Sequence, residues 1–139
     1  MNKTLLFVLV VVVMVLGFNE VIERLIVDPI PRRALTEARM QALKRRVILY
    51  ARVHDVLPDS LAALPMINGY NNNTNDAWKR PITLEISSSG IVTFRSLGRD
   101  GVEGGMGDDS DIIRSFSSRE TEGKWNDELV QWTEGETLR

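Results

Sequence analysis

The stretch from Ser96 to Ile112, S-L-G-R-D-G-V-E-G-G-M-G-D-D-S-D-I, is the part of this chain that least tolerates regular structure. It carries four aspartates (Asp100, Asp108, Asp109, Asp111), Glu103 and five of the chain's ten glycines. Carboxylates this close together repel one another unless a cation sits among them or water screens them. Glycines allow the backbone to curl tightly enough to turn carbonyls and carboxylates toward one centre. The chain has no cysteine and its one histidine, His54, lies far upstream, so hard oxygen donors favour Ca²⁺ over Zn²⁺ or copper. The stretch reads as a calcium loop, with a solvated acidic loop as the plainer alternative.

Familiar ion- and phosphate-binding patterns do not fit it. An EF-hand requires D-x-[DN]-x-[DN]-G with a glutamate at its twelfth position, and no register supplies this. The nonapeptide G-G-M-G-D-D-S-D-I is close to one calcium β-roll repeat, but Asp111 stands where that repeat needs a large apolar residue, and there is no second copy. A phosphate-cradling glycine loop would need a following Lys-Ser/Thr, and this loop is acidic.

The rest of the chain sets the frame. A length of 139 residues allows one modest domain with an appendage. The net charge of −2 gives no general attraction to nucleic acid, but charge is unevenly spread. From Arg32 to Arg52 seven Lys/Arg face one acid, Glu37, and from Arg99 to Arg139 eleven Asp/Glu face five Lys/Arg. The absence of cysteine excludes disulfides, thiol nucleophiles, thiolate metal sites and a lipobox anchor.

Residues 1–18 place Lys3 before an unbroken apolar run from Leu5 to Phe18. The run is shorter than the about 20 residues of a spanning helix and suits the core of a signal sequence. Two routes stay open: cleavage near Val15 and Gly17, or retention as an anchor extended by Val21 to Val27. The lack of an A-x-A site favours the anchor. Lys3 on the short side places the remainder outside the cytoplasm. Residues 1–27 are therefore read as an anchor or signal and 28–139 as a periplasmic domain.

Asp28-Pro29-Ile30-Pro31 reads as a break or a helix start. From Arg32 to about His54, Met40, Leu43, Val47, Tyr50 and His54 form one apolar stripe at helical spacing. Arg39, Lys44, Arg45, Arg46 and Arg52 fall largely off it, a face expected to be solvated, or otherwise to meet anionic lipid or an acidic neighbour. Ser60 to Leu64 reads as a short helical turn capped by Asp59 or Ser60. Gly69 to Asp76 is a loop, and Asn72-Asn73-Thr74 within it fits the N-x-T sequon. Pro81 to Ile86 and Ile91 to Arg95 read as strands joined through Ser87-Ser88-Ser89-Gly90 as a hairpin. Trp125, Leu129 and Trp132 suit a short amphipathic helix or a packing tail.

In this order the segments resemble the major pseudopilin of type II secretion systems. The helix ends in L-Y-A-R-V-H-D-V-L-P, Leu61 to Leu64 matches that family's short second helix, and D-A-W-K-R-P (76–81) is similar to its D-P-W-G-N-P. Ser96-Leu97-Gly98-Arg99-Asp100-Gly101, the Gly104-Gly105 pair and D-D-S-D-I are similar to its S-L-G-A-D-G…G-G…A-D-I calcium loop. The likeness runs from about Ala38 to Ile112. It departs at the N-terminus. The family's G-F-T-L-I-E precedes the hydrophobic helix, whereas here Gly17-Phe18 follows the apolar run and Ile22 stands in the fifth place.

The resemblance implies an α+β fold: a long N-terminal helix packed on a small antiparallel β-sheet, with a calcium-binding loop after the hairpin. It implies Ca²⁺ as cofactor, with Asp100 as the pivotal ligand, the Leu97 carbonyl beside it, Asp108 and Asp111 opposite, Asp109 at lower weight and Glu103 facing solvent. The expected role is structural: a pseudopilin-like subunit or accessory of a type II secretion machine. It would be a single-pass inner-membrane protein whose partners are other secretion-system subunits or further copies of itself. A tethered or secreted calcium-binding module that never polymerises is the alternative. No nucleic acid and no small-molecule substrate is expected. No Ser/His/Asp set, HExxH or CxxC supports an enzyme, and Mg²⁺ phosphoryl chemistry lacks a phosphate-holding element.

Overall fold

The computed structural model describes residues 30–127 and 129–133. The anchor or signal read over residues 1–27, the Asp28-Pro29 break and residues 134–139 lie outside the described residues. Within them the fold is α+β. A helix, α1 (Arg32–His54), precedes three strands, β1 (Thr83–Ile86), β2 (Ile91–Ser96) and β3 (Ile112–Ser117), in one antiparallel sheet of order β1-β2-β3.

α1 follows from a 23-residue run without Gly or Pro, entered through Pro31 and closed at Asp55, which takes the left-handed conformation at φ 56. Met40, Leu43 and Val47 of the expected stripe are fully buried, joined by Ile48 and Ala51 on its flank. Tyr50 is half-buried, and His54 is exposed with its ring 4.3 Å from that of Tyr50. The core under α1 comes from Val92 and Phe94 of β2, Ile112 and Phe116 of β3, and Leu61, Leu64 and Ile82 from the connecting segments. Each such side chain removed from water contributes roughly 1.5–3 kcal/mol.

The basic face of α1 is solvated only in part. Lys44 and Arg46 are both only 2% exposed. Arg46 donates to the carbonyls of Leu64, Pro65 and Asn72 at 3.1–3.3 Å, and Arg39 donates to those of Asn75 and Asp76. Lys44 Nζ donates to the Val130 carbonyl and lies 4.5 Å from the centre of the Trp132 ring. Burial lowers the Lys44 ammonium below its ordinary pKa, with Arg45 adding to the shift. These side chains reach over the apolar stripe to bind loop carbonyls that have no strand partner, so they tie the helix to its surroundings. Arg45 and Arg52 are exposed.

The hairpin forms where Ser87-Ser88-Ser89-Gly90 was expected to turn: Ser87 N–H donates to Ile91 O and Gly90 N–H to Ser87 O, both at 2.9 Å. The turn read at 60–64 is a 3₁₀ turn, Leu61–Ala63, with Ser60 at its N-cap and no side-chain capping bond. β3 was not anticipated; its Ile112 and Phe116 share one face and fill the core. The segment around Trp125 and Trp132 is a packing tail, not a helix. Thr133 N–H donates to Ser115 O at 2.8 Å, and Trp132 packs edge-on against Phe94 and Phe116. Among the described residues no helix is long and apolar enough to cross a membrane.

Candidate metal centre

The acidic glycine-rich stretch is the connection from β2 to β3, and its two arms run side by side. Arg99 N–H donates to Asp108 O at 2.8 Å and Asp111 N–H to Gly104 O at 3.1 Å, with a 3₁₀ turn, Gly107–Asp109, between. Gly98 makes this approach possible. It is buried with φ +67, and a Cβ there would lie 2.7–2.8 Å from the carbonyl oxygens of Asp108, Asp109 and Ser110. Three successive carbonyls thus converge on the Gly98 backbone, a cradle that any side chain would fill.

Leu97 sits half-buried just past the end of β2. Asp100 is exposed, and its Oδ1 accepts the Val102 N–H at 3.0 Å, bending the chain back on itself. Asp108 is exposed. Asp109 is held by a two-pronged pair with Arg99, Nε–Oδ1 2.7 Å and Nη2–Oδ2 2.8 Å. That fork keeps the Asp109 carboxyl below the ordinary carboxylate range and raises the Arg99 guanidinium above its own. The Asp111 side chain is 11% exposed; it meets Arg95 Nη2 at 3.0 Å through Oδ2, and its Oδ1 accepts Gly104 N–H at 3.2 Å. Glu103, expected to face solvent, is exposed and pairs with Arg95 at 2.8 Å.

Sequence reasoning missed the frame behind this loop. Asp76 is fully buried: its Oδ1 accepts the Trp78 and Arg80 N–H groups at 2.9 Å, and its Oδ2 accepts the Ser96 hydroxyl at 2.7 Å. Such a carboxylate is tolerable only because hydrogen bonds replace its water. Arg80 reaches Gly98 O at 2.9 Å, and Thr36 of α1 accepts the Ala77 N–H at 3.0 Å. From the start of α1, Arg33 Nη1 donates to Ser110 O and Oγ at 3.2 and 3.0 Å and to Gly107 O at 3.3 Å. The aspartate opening D-A-W-K-R-P was the available signal for this frame; nothing in the spacing marked Arg33 or Arg80.

The polar groups of the loop are carboxylates and backbone carbonyls, oxygen donors of the type a hard divalent cation takes, although Asp108 O and Ser110 O already accept from Arg99 N–H and Arg33. Among the described residues no three acidic or histidine side chains already stand together as a metal cluster. Elsewhere, the Asn72 amide of the sequon donates to the carbonyls of Ile67 and Tyr70 and is committed to its own loop. Compared with models of protein families, with curated proteins and with solved structures, the chain finds no match.

Proposed function

We propose that the protein is a structural, calcium-binding, pseudopilin-like subunit or accessory of a type II protein secretion machine. It would be tethered in the inner membrane with its C-terminal domain in the periplasm. The observation that carries this reading is the position of the Gly98 cradle. Backbone bonds from Arg99 N–H to Asp108 O and from Asp111 N–H to Gly104 O run the arm of Leu97 and Asp100 alongside that of Asp108, Asp109 and Asp111, which supports the order of donors implied by the resembled calcium loop. Asp100, Asp108 and Asp111, helped by the Leu97 carbonyl, would hold the ion, with Asp109 a lesser contributor. Bound Ca²⁺ would neutralise the loop and clamp the two arms together. The role is one of assembly rather than catalysis, with other secretion-system subunits or further copies of the chain as partners.

The competing reading is a tethered or secreted calcium module that joins no filament, and the N-terminal sequence motivates it, because Gly17-Phe18 follows the apolar run. Mass spectrometry of the mature N-terminus in a Gram-negative host separates the two. A chain beginning at an N-methylated Phe18 supports pseudopilin-type processing, at the loss of the apolar run from Leu5 to Gly17 and so of the tether. An unprocessed chain that stays in the membrane argues against the filament subunit and leaves a tethered accessory or module, and release of the chain into the soluble fraction contradicts the tether.

A further inference from the structure

We infer that the outer edge of β1 is a docking site for an extended segment of another protein, one with apolar side chains on one face and a lysine or arginine between them on the other. The hairpin fixes which groups of β1 face outward. Ser87 N–H donates to Ile91 O at 2.9 Å, so these residues form a bonded pair. Bonded pairs alternate along an antiparallel ladder, which assigns the bonds with β2 to Glu85, opposite Thr93, and to Thr83, opposite Arg95. Leu84 and Ile86 therefore turn their N–H and C=O groups to the free edge of the sheet. Just before β1 the chain closes this edge itself: Ile82 N–H donates to Thr74 O at 2.9 Å and Asp76 N–H to Arg80 O at 2.7 Å. Among the described residues no backbone bond continues that cover to Leu84 and Ile86.

Leu84 and Ile86 also line a groove of about 550 Å³ whose opposite wall is Val56, Leu57 and Pro58, the segment that follows α1. Ile86 is 39% and Val56 55% exposed, so this apolar lining stays open to water. Trp125 lines the groove too; its Nε1 donates to Asp55 Oδ1 at 2.7 Å, and the Arg119 guanidinium lies 3.6 Å from its ring centre, so these three are already committed to one another. A strand added to β1 would set alternate side chains in the groove while its backbone pairs with Leu84 and Ile86. Charge selects the occupant. Glu85, on the opposite face of β1, and Asp59, at the groove, are exposed and have no partner among the described residues. A second copy of this chain fits poorly. The antiparallel register that pairs Leu84 and Ile86 of one copy with Ile86 and Leu84 of the other sets Glu85 directly opposite Glu85. A basic residue at that place turns the repulsion into attraction.

Fluorescence anisotropy of labelled peptides with the full-length chain in detergent tests this. The probe is the acetylated, amidated peptide G-T-V-K-V-T-G, which sets valines in the groove and lysine opposite Glu85; its counterpart carries glutamate in place of lysine. Wild type is expected to bind the lysine peptide roughly fivefold tighter, the scale of exchanging an exposed attraction for a repulsion. Glu85→Lys is expected to reverse the preference. Ile86→Pro removes an outward N–H without removing a bond to β2, and is expected to lose binding of both peptides. Equal binding of the two peptides, or a preference that Glu85→Lys leaves unreversed, overturns the charge selection, and no binding of either by wild type overturns the docking site. Self-association of the wild type that Ile86→Pro abolishes assigns the edge to a second copy and overturns the foreign partner. Circular dichroism melts confirm folding; Glu85 is exposed, so Glu85→Lys decides the test even where Ile86→Pro fails to fold.

Discussion

A methyl group on Gly98 would lie 2.7–2.8 Å from three backbone carbonyl oxygens, and the residue would still have to hold φ at +67. Neither the carbonyls nor the strand end can retreat cheaply, because Arg80, Arg33 and the Arg99 amide fix them. Gly98→Ala is expected to cost about 2 kcal/mol or more in urea unfolding, through overpacking and backbone strain together. Lys79 is the reverse case. It stands at φ 70 without being glycine, in the tight turn where Asp76 accepts the N–H groups of residues 78 and 80. Lys79→Gly relieves that strain at the cost of a more flexible unfolded chain, so a gain of up to about 1 kcal/mol is expected in the same measurement. The Arg99–Asp109 pair makes a pH-dependent contribution. Because the folded Asp109 pKa is lowered, its stabilisation is present above the unfolded value of about 3.9 and is lost as pH falls through the folded value. In EGTA, wild type should therefore melt above Arg99→Gln at neutral pH, and the difference should close below about pH 4; a constant difference down to strong acid would contradict this.

At the scale of elements, α1 is held to the rest of the domain by its cations as well as its apolar stripe. Arg46 alone serves three carbonyls, those of Leu64, Pro65 and Asn72. Arg46→Met keeps the apolar stem but strands these acceptors, and a loss of about 3 kcal/mol is expected from denaturant unfolding. Arg45→Met, one residue away and exposed, should stay within about 0.5 kcal/mol. This difference between neighbours could not be read from the sequence. Helical periodicity placed Met40, Leu43 and Val47 inside, and charge alone placed Lys44 and Arg46 outside. A long side chain can reach past the apolar layer to bare carbonyls, and no spacing rule records where those carbonyls are. The hairpin was legible because Ser87-Ser88-Ser89-Gly90 separates two β-rich runs. β3 was not, because Ile112-Ile113 breaks strict alternation and follows directly on the loop. The loop itself was legible from its glycines and aspartates, but Arg33 and Arg80, which shape it from distant positions, were not.

Across the whole molecule, the described residues form one small core between α1 and a three-stranded sheet, with the acidic loop at one end of the sheet and the hairpin turn at the other. The loop joins β2 to β3 and touches α1 through Arg33, so whatever clamps its arms also closes helix, sheet and connection together. An ion bound there as proposed would stabilise the folded domain as a unit, by about 2.7 kcal/mol at a hundredfold excess over its dissociation constant. For a domain of this size that corresponds to a rise on the order of 10 °C in melting temperature. Thermal unfolding of the full-length chain in detergent, with saturating Ca²⁺ and with EGTA, tests this most directly. The wild type and Glu103→Ala should both melt higher in Ca²⁺, while Asp100→Ala should melt alike in both conditions. Coincident wild-type transitions with and without the ion would contradict the calcium loop, and a full calcium response in Asp100→Ala would contradict the ligand placement.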